Sequence, residues 1–230
     1  MGSPRQFDKL AEAVRAGGYS AAELLLPGHG GTARDFASGT YERWQDHVNA
    51  EIERFSRDHA EIWLAGHSMG GLLALNASIS YSAHVQGVFT IASPLKLAIF
   101  SAHAAGTRLK QAFYRKSDPM KASYIANSSV SPSLSLAWNI LPPAVELEKL
   151  MHATKKALPN VRAPVTSVYS SSDELTSIDS LELLRTGLSG APFDHILLTD
   201  SLHAYYPEHE YAIIEQALMK FVFSRKKNAV

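Results

Sequence analysis

Hydrophobic residues recur at two different spacings along most of the chain, and the alternation between them predicts the secondary structure. Apolar positions three and four residues apart predict helices over residues 5–16, 42–59, 69–80, 144–157, 180–188 and 208–223. Short continuous apolar runs predict buried strands over residues 21–26, 61–65, 87–92, 164–169 and 195–199. Strands that alternate with helices over brief connections are typical of a parallel sheet covered by helices. The predicted fold class is therefore α/β.

One long segment, residues 94–163, interrupts this alternation. It is rich in serine and contains scattered aromatic residues and prolines, and its single predicted helix lies close to its end. We interpret this segment as a cap inserted into the core, so that residues 1–93 and residues 164–230 are two parts of one core domain. The basic segment 225–228 is interpreted as a solvated tail.

Composition and charge limit the class of protein. With 230 residues, of which 46% are hydrophobic and 19% are charged, the chain has enough apolar mass to bury one large core. Its 22 lysines and arginines balance 22 aspartates and glutamates, so no basic surplus favours nucleic acid as a partner. The absence of cysteine excludes disulfides, thiolate zinc sites and cysteine nucleophiles.

Membrane and targeting signals are absent from the sequence as written. No apolar run approaches the roughly 20 residues of a membrane helix. Residues 1–6 lack the apolar stretch of a signal peptide. We therefore expect a cytoplasmic protein without an integral membrane segment, present as a monomer or a homodimer.

A nucleophile pattern stands between a predicted strand and a predicted helix. Residues 66–70 read Gly-His-Ser-Met-Gly and fit G-x-S-x-G, with Ser68 at the centre of the turn. We expect glycine at both ends of the pattern because side chains there would collide with the strand or the helix. The alternative is an ordinary glycine-rich turn between a strand and a helix.

A nucleophilic serine needs an acid that orients its base, and Asp173 is the best placed candidate. It lies in a loop just beyond the carboxyl end of the predicted strand 164–169. Catalytic groups of open α/β sheets gather at that edge. Glu174, Asp179 and Asp194 are the rival acids.

Among ten histidines, His203 is the best placed candidate for the base. It follows the predicted strand 195–199, and the chain order of serine, acid and histidine matches that of α/β enzymes with a nucleophile elbow. His67, within the elbow, is expected to pack beside the nucleophile. Seven others belong to helix faces or their ends, the start of a strand or the cap: His47, His59, His84, His103, His152, His195 and His209. No spaced set of metal ligands appears, so no cofactor or metal is expected.

Taken together, these motifs resemble the α/β-hydrolase family, most closely its small bacterial carboxylesterases and monoacylglycerol lipases. The similarity covers almost the whole chain. It is carried by the segments 26–30 (Leu-Pro-Gly-His-Gly), 44–46 (Trp-Gln-Asp), 66–71 (Gly-His-Ser-Met-Gly-Gly), 172–175 (Ser-Asp-Glu-Leu) and 201–203 (Ser-Leu-His).

The resemblance implies an α/β-hydrolase fold, in which a small cap inserted before the acid-bearing strand covers the acyl pocket. It also implies that Ser68 is the nucleophile, His203 the base and Asp173 the acid. The N–H of Met69 is then expected to contribute to the oxyanion hole.

The beginning of the chain departs from the family pattern. Members of the family begin with further strands and a His-Gly-Phe-x-Gly loop, and residues 1–4 resemble only the end of that loop. The strand before that loop would lie between the strands predicted at 21–26 and 61–65. Its loss would leave about five buried groups on each edge unpaired, at roughly 1–3 kcal/mol each. We therefore expect the reading frame to be truncated, and an upstream-extended chain to melt higher and turn over faster.

The expected activity is hydrolysis of a small-molecule ester or acylglycerol with a short to medium acyl chain, through an acyl-enzyme. A thioesterase, lactonase or peptidase could use the same triad, and a weakly active or non-catalytic binding module is the alternative of another class. Several cap residues are candidates for the acyl pocket, and simple packing explains them equally well: Phe100, Phe113, Tyr114, Leu134, Leu136, Trp138 and Ile140.

Overall fold

The structure, a computed structural model, describes residues 2–98, 119–129, 139 and 141–224. Its helices are, in chain order, α1 (Asp8–Ala16), α2 (Ala33–Ala37), α3 (Tyr41–Ser56), α4 (Met69–Ser80), α5 (Pro119–Ala126), α6 (Leu141–Ala157), α7 (Asp179–Gly187) and α8 (Glu208–Phe223). Short 3-10 turns lie at Pro4–Phe7 and Leu158–Asn160. The strands are β1 (Ile62–His67), β2 (Val85–Ile91), β3 (Val165–Ser170) and β4 (Phe193–Leu198).

The four strands form one sheet in the order β1-β2-β3-β4, and every neighbouring pair is parallel. Parallel strands require a crossover between each pair, and α4, α6 and α7 lie within the three crossovers. All four carboxyl ends therefore meet at one edge of the sheet. The predicted α/β class with a parallel sheet is confirmed.

Each face of the sheet packs against its own set of helices. On one face, Trp44 and Ile52 of α3 join Leu72 and Leu75 of α4 in the larger apolar cluster. On the other face, α1 and α8 pack against alternate residues of the central strands. Such a two-faced core matches the nearly continuous apolar runs of β2 and β3, since a central parallel strand is buried on both sides.

The predicted strand over residues 21–26 is wrong. This run has no regular secondary structure and lies along a cavity of about 840 Å³ that is also lined by β1 and α1. A strand exists only when its backbone pairs with a neighbour, and residues 21–26 pair with none of the four strands of the sheet. The run is apolar, but whether an apolar run pairs with a neighbouring strand does not follow from its own sequence.

The segment 94–163 contains more helix than predicted. Its C-terminal helix α6 is found as expected, and it packs on the core, where Leu150 and Met151 are buried. Helix α5 was missed, although Asp118 followed by Pro119 is a sequence signal for a helix start. The seven candidate pocket residues of the cap and the tail 225–228 lie outside the described residues.

None of the helices in the described part of the chain is both long and apolar enough to cross a membrane.

Candidate active site

The turn between β1 and α4 holds Ser68 in a conformation that non-glycine residues rarely adopt. Its φ is 54° and its ψ is −123°. Strain of this kind persists only where the surroundings enforce it, and it is common at active sites. A Cβ at Gly66 would lie 2.4 Å from the backbone of Gly70, so only glycine fits at the strand side of the turn.

The expectation for the second glycine of the pattern is wrong. A Cβ added at Gly70 would meet no atom within 4 Å. The crowded position is Gly71 instead, where a Cβ would lie 1.8 Å from the hydroxyl oxygen of Ser93. Close approach of α4 to the sheet therefore depends on Gly66 and Gly71, whereas Gly70 faces open space.

The structure brings the three predicted residues Ser68, His203 and Asp173 together at the carboxyl edge of the sheet. The hydroxyl oxygen of Ser68 lies 3.0 Å from Nε2 of His203. Nδ1 of the same ring lies 2.9 Å from Oδ2 of Asp173. A neutral imidazole that donates from Nδ1 to the carboxylate leaves Nε2 free to accept the serine proton.

The Asp173 carboxylate is buried but well supplied with donors. Its Oδ1 accepts the backbone N–H groups of Leu175 and Thr176, each at 2.8 Å. Burial alone would raise the pKa of Asp173, but the adjacent His203 and these two amides lower it below its usual value. Asp173 is therefore an anion at neutral pH and keeps the imidazole in one orientation.

The rival acids occupy other positions. Asp179 forms an ion pair with Lys96 at 2.5 Å on the surface. Asp194 is exposed on β4. Glu174 is buried and contacts His203, but its Oε2 accepts the backbone N–H of His203 at 3.0 Å rather than a ring nitrogen.

His67 is buried beside the candidate nucleophile and base. Its Nε2 lies 2.7 Å from the backbone carbonyl oxygen of His203, to which it donates when neutral. Burial, with a further contribution from the nearby His203 ring, lowers the pKa of His67 to about 3. The ring therefore stays uncharged, and its hydrogen bond holds the base loop, which is the loop between β4 and α8 that carries His203. The expected packing of His67 beside the candidate nucleophile agrees with this position, but its hydrogen-bond partner is visible only in the structure.

The depressed pKa of His67 makes the stability of the protein depend on pH. The unfolded chain binds this proton near pH 6.5 and the folded chain only near pH 3, so the stabilisation is complete above pH 6.5 and is lost as the pH falls. We expect the free energy of unfolding to decrease by about 1 kcal/mol per pH unit below pH 6.5 through this group. In His67→Gln, which retains a donor, this part of the slope should disappear.

Urea unfolding at several pH values between 7.5 and 4.5 measures this effect. The exposed His195 gives the control variant His195→Gln, whose slope should equal that of the original protein. His29, whose pKa burial lowers to about 4, contributes equally to all three proteins. Equal slopes for His67→Gln and the original protein would contradict the assignment.

The first residue of α4, Met69, has an N–H group that lies outside the helical hydrogen-bond ladder. It follows directly on Ser68, so it is available to a developing oxyanion at the reacting carbonyl. Near the start of the chain, Gly2 and Ser3 line the same cavity as Ser68. The N–H of Ser3 already donates to the carbonyl oxygen of Asn127 at 2.8 Å, so it does not face a reacting carbonyl.

The cavity that borders β1 extends to Ser68 and His203. Its lining also includes Tyr124 and the apolar side chains of Leu97, Pro143, Leu147 and Leu175. Apolar walls with a few convergent polar groups are the usual character of small-molecule sites.

A carboxylate and histidine group lies behind the site, at the start of α8. It consists of Asp200, His209 and Glu210, whose ligand atoms lie within 4.8 Å of one another. Oε1 of Glu210 accepts the N–H of Thr199 at 2.7 Å, and Oε2 accepts the hydroxyl of Ser201 at 2.5 Å. The buried Glu210 carboxylate therefore holds the loop that carries His203, and these bonds explain its burial.

Comparison with known proteins agrees with the fold. The chain is 24% identical over 224 residues to a thermostable monoacylglycerol lipase of Bacillus sp. (strain H-257), covering 96% of this chain and 86% of that protein. A solved structure from the metagenome-derived lipolytic enzymes LipS and LipT has a TM-score of 0.73 and 23% identity, covering 98% of this chain and 89% of the other.

A second solved structure is the monoacylglycerol lipase of Paleococcus ferrophilus. It has a TM-score of 0.68 and 18% identity, covering 96% of this chain and 89% of the other. The sequence profile of the Alpha/beta hydrolase family matches residues 2–208. The parallel sheet, the strained serine turn and this match together identify the chain as a member of the α/β-hydrolase family, with lipases and esterases among its relatives.

Proposed function

We propose that this protein hydrolyses carboxylic esters with short to medium acyl chains, as a carboxylesterase or monoacylglycerol lipase. The observation that carries the proposal is the continuous hydrogen-bonded path from Ser68 through His203 to Asp173 at an apolar cavity. Each group has the neighbour that its role needs, since a serine is a weak nucleophile without a base in contact.

The reaction proceeds in two acyl-transfer steps. Nε2 of His203 takes the proton of Ser68 while the serine oxygen attacks the ester carbonyl carbon, and Asp173 stabilises the imidazolium that forms. The Met69 N–H stabilises the negative charge on the carbonyl oxygen. His203 then gives its proton to the leaving alcohol. His203 next takes a proton from a water molecule, which attacks the acyl-enzyme carbonyl, and returns that proton to the Ser68 oxygen as the acid leaves.

The cavity supports an apolar acyl group as the part of the substrate that is bound. Leu97, Pro143, Leu147 and Leu175 line the cavity together with Ser68, so an alkyl chain can be desolvated against them. The names of the lipase relatives favour the same substrate class. We further propose that residues 94–163 cover this site, since Tyr124, Pro143 and Leu147 from that segment line the cavity.

A fluorophosphonate probe tests the proposal directly, because it phosphonylates only a serine that a neighbouring base activates. We expect one equivalent of probe on Ser68, located by peptide mass spectrometry, and no label in His203→Ala. Exposed His195 provides the control His195→Ala, which should label normally. Matched ester, thioester, lactone and amide substrates then separate an esterase from a thioesterase, lactonase or peptidase, and an ester series of increasing acyl length gives the preferred acyl chain.

The absence of label from the original protein would contradict the proposed function. Ligand binding without label or turnover would instead favour a binding module that retains the hydrolase fold.

A further inference from the structure

The carboxylate of Glu174 lies directly behind the candidate base, yet the proposed reaction gives it no role. Its side chain is only 2% exposed. Oε2 accepts the backbone N–H of His203 at 3.0 Å, and Oε1 accepts the hydroxyl of Tyr124. One buried side chain thus joins the main chain of the base residue to a residue of the 94–163 segment.

Tyr124 lies on α5 and contacts two parts of the site at once. Its side chain lines the cavity beside Ser68, while its hydroxyl reaches Glu174. The preceding residue strengthens the same connection, because the hydroxyl of Ser123 donates to the carbonyl oxygen of Ala204 at 3.0 Å. Helix α5 is therefore linked to the base loop at two points. Tyr124 is linked through Glu174 to the N–H of His203, and Ser123 is bonded to the carbonyl oxygen of Ala204.

The carbonyl end of His203 is held independently of α5. It accepts hydrogen bonds from Nε2 of His67 at 2.7 Å and from the hydroxyl of Tyr206 at 3.2 Å. Glu174 fixes the opposite, amide end of the residue. Because both ends of the His203 main chain are held, the imidazole can move only by rotation of the side chain. The hydrogen bond to Asp173 restricts that rotation.

We propose that Glu174 is a positioning residue that couples α5 to the catalytic base, so that substrate contact with Tyr124 favours the aligned position of His203. The inference rests on the proposed function, because alignment matters only if His203 acts on Ser68. The physical basis is that a misplacement of about 1 Å at a reacting group can cost of the order of a hundredfold in rate.

Two substitutions of Glu174 differ in what they preserve. In Glu174→Gln, the amide oxygen can still accept the His203 N–H, and the amide nitrogen can donate to the Tyr124 oxygen. In Glu174→Ala, both bonds disappear and the buried His203 N–H loses its acceptor. The glutamine variant therefore serves as a conservative rescue of the alanine variant.

Tyr124→Phe removes only the bond to α5, and the chain offers a matched control. Tyr81 donates its hydroxyl to Oε1 of Glu53 at 2.8 Å, so Tyr81→Phe removes a tyrosine–carboxylate bond remote from the site. The kinetics of p-nitrophenyl acetate and p-nitrophenyl octanoate are measured for each variant. The short ester reports the chemistry alone, and the long ester also reports contact with the cavity wall.

For Tyr124→Phe we expect kcat for the octanoate ester to fall about tenfold while KM changes less than about threefold. The acetate ester should be affected less, and Tyr81→Phe should match the original protein for both esters. Glu174→Ala should lose about a hundredfold in kcat, and Glu174→Gln should recover most of it.

The proposal is overturned if Tyr124→Phe and Tyr81→Phe have the same kcat, or if the loss in Tyr124→Phe is confined to KM. Equal losses in Glu174→Gln and Glu174→Ala would also overturn it. Tyr124→Phe and Glu174→Gln keep the test decisive if Glu174→Ala fails to fold. Fluorophosphonate labelling of the unmodified protein separates the coupling from the proposed function. If Ser68 is labelled but the kinetics of Tyr124→Phe are unaltered, only the coupling is refuted.

Discussion

Replacement of Ser68 by alanine should lower kcat for p-nitrophenyl esters by roughly 10⁶-fold, because no other group can form the acyl-enzyme. The fold should tolerate the change. The Ser68 hydroxyl is bonded to His203, and alanine at the same positive φ carries the same backbone strain as serine. Steady-state kinetics and thermal melting of the same preparation measure both quantities.

Ser78 supplies a matched control on the same helix. Its hydroxyl is fully buried and donates to the carbonyl oxygen of Leu75 at 2.7 Å, away from the catalytic candidates. Ser78→Ala should therefore lower the melting temperature without a large change in kcat. Ester turnover by Ser68→Ala within a factor of ten of the original rate would refute Ser68 as the nucleophile.

Asp173→Asn should lower kcat by about 10⁴-fold while leaving the protein folded. The two backbone amides of Leu175 and Thr176 select the orientation of the new side chain, because they need its oxygen at the Oδ1 position. Its amide nitrogen then faces Nδ1 of His203. Nδ1 must then accept a hydrogen bond from this amide, so the ring proton moves to Nε2. His203 can no longer take the proton of Ser68.

The rate profile across pH 6 to 9 distinguishes this wrong tautomer from a loss of structure. The exposed Asp194 provides the control Asp194→Asn, which should keep full activity. Hydroxide should partly restore the rate of Asp173→Asn at the alkaline end, where it can replace the missing base. A loss of less than tenfold would mean that another acid orients the imidazole.

Most of the fold was predictable because its elements are defined locally. Helices α4 and α8 have the bounds that their apolar spacing predicts, and the predicted strands that correspond to β1 to β4 differ from the observed bounds by at most two residues. The run 21–26 has an equally clear apolar pattern, but a strand also needs a neighbour, and the pattern contains no information about one. Local signals therefore located all four observed strands, but they could not show that the fifth apolar run has no strand to pair with.

The predicted site residues were found together for a topological reason. Ser68, Asp173 and His203 each follow a parallel strand, and the carboxyl ends of such strands share one edge whatever the loops do. The contacts of Glu174 and Tyr124 could not be predicted from the sequence, because they depend on which atoms come within bonding distance. From the sequence, Glu174 is only one of several acids near a strand end, and α5 lies in a segment without clear periodicity.

The unpaired edge of β1 gives its amide hydrogens two different environments. Directly after β1, the N–H of Ser68 donates to the carbonyl oxygen of Ile91 at 2.8 Å, so Gly66, two residues earlier, also points to β2. The N–H groups of Trp63 and Ala65 point the opposite way, into the cavity, where no strand of the described chain meets them. Their hydrogens can exchange for deuterium without any opening of the sheet, whereas exchange at Gly66 requires local unfolding. Within the part of the chain that the structure describes, the strand that leads to Ser68 is thus paired with another strand along one side only.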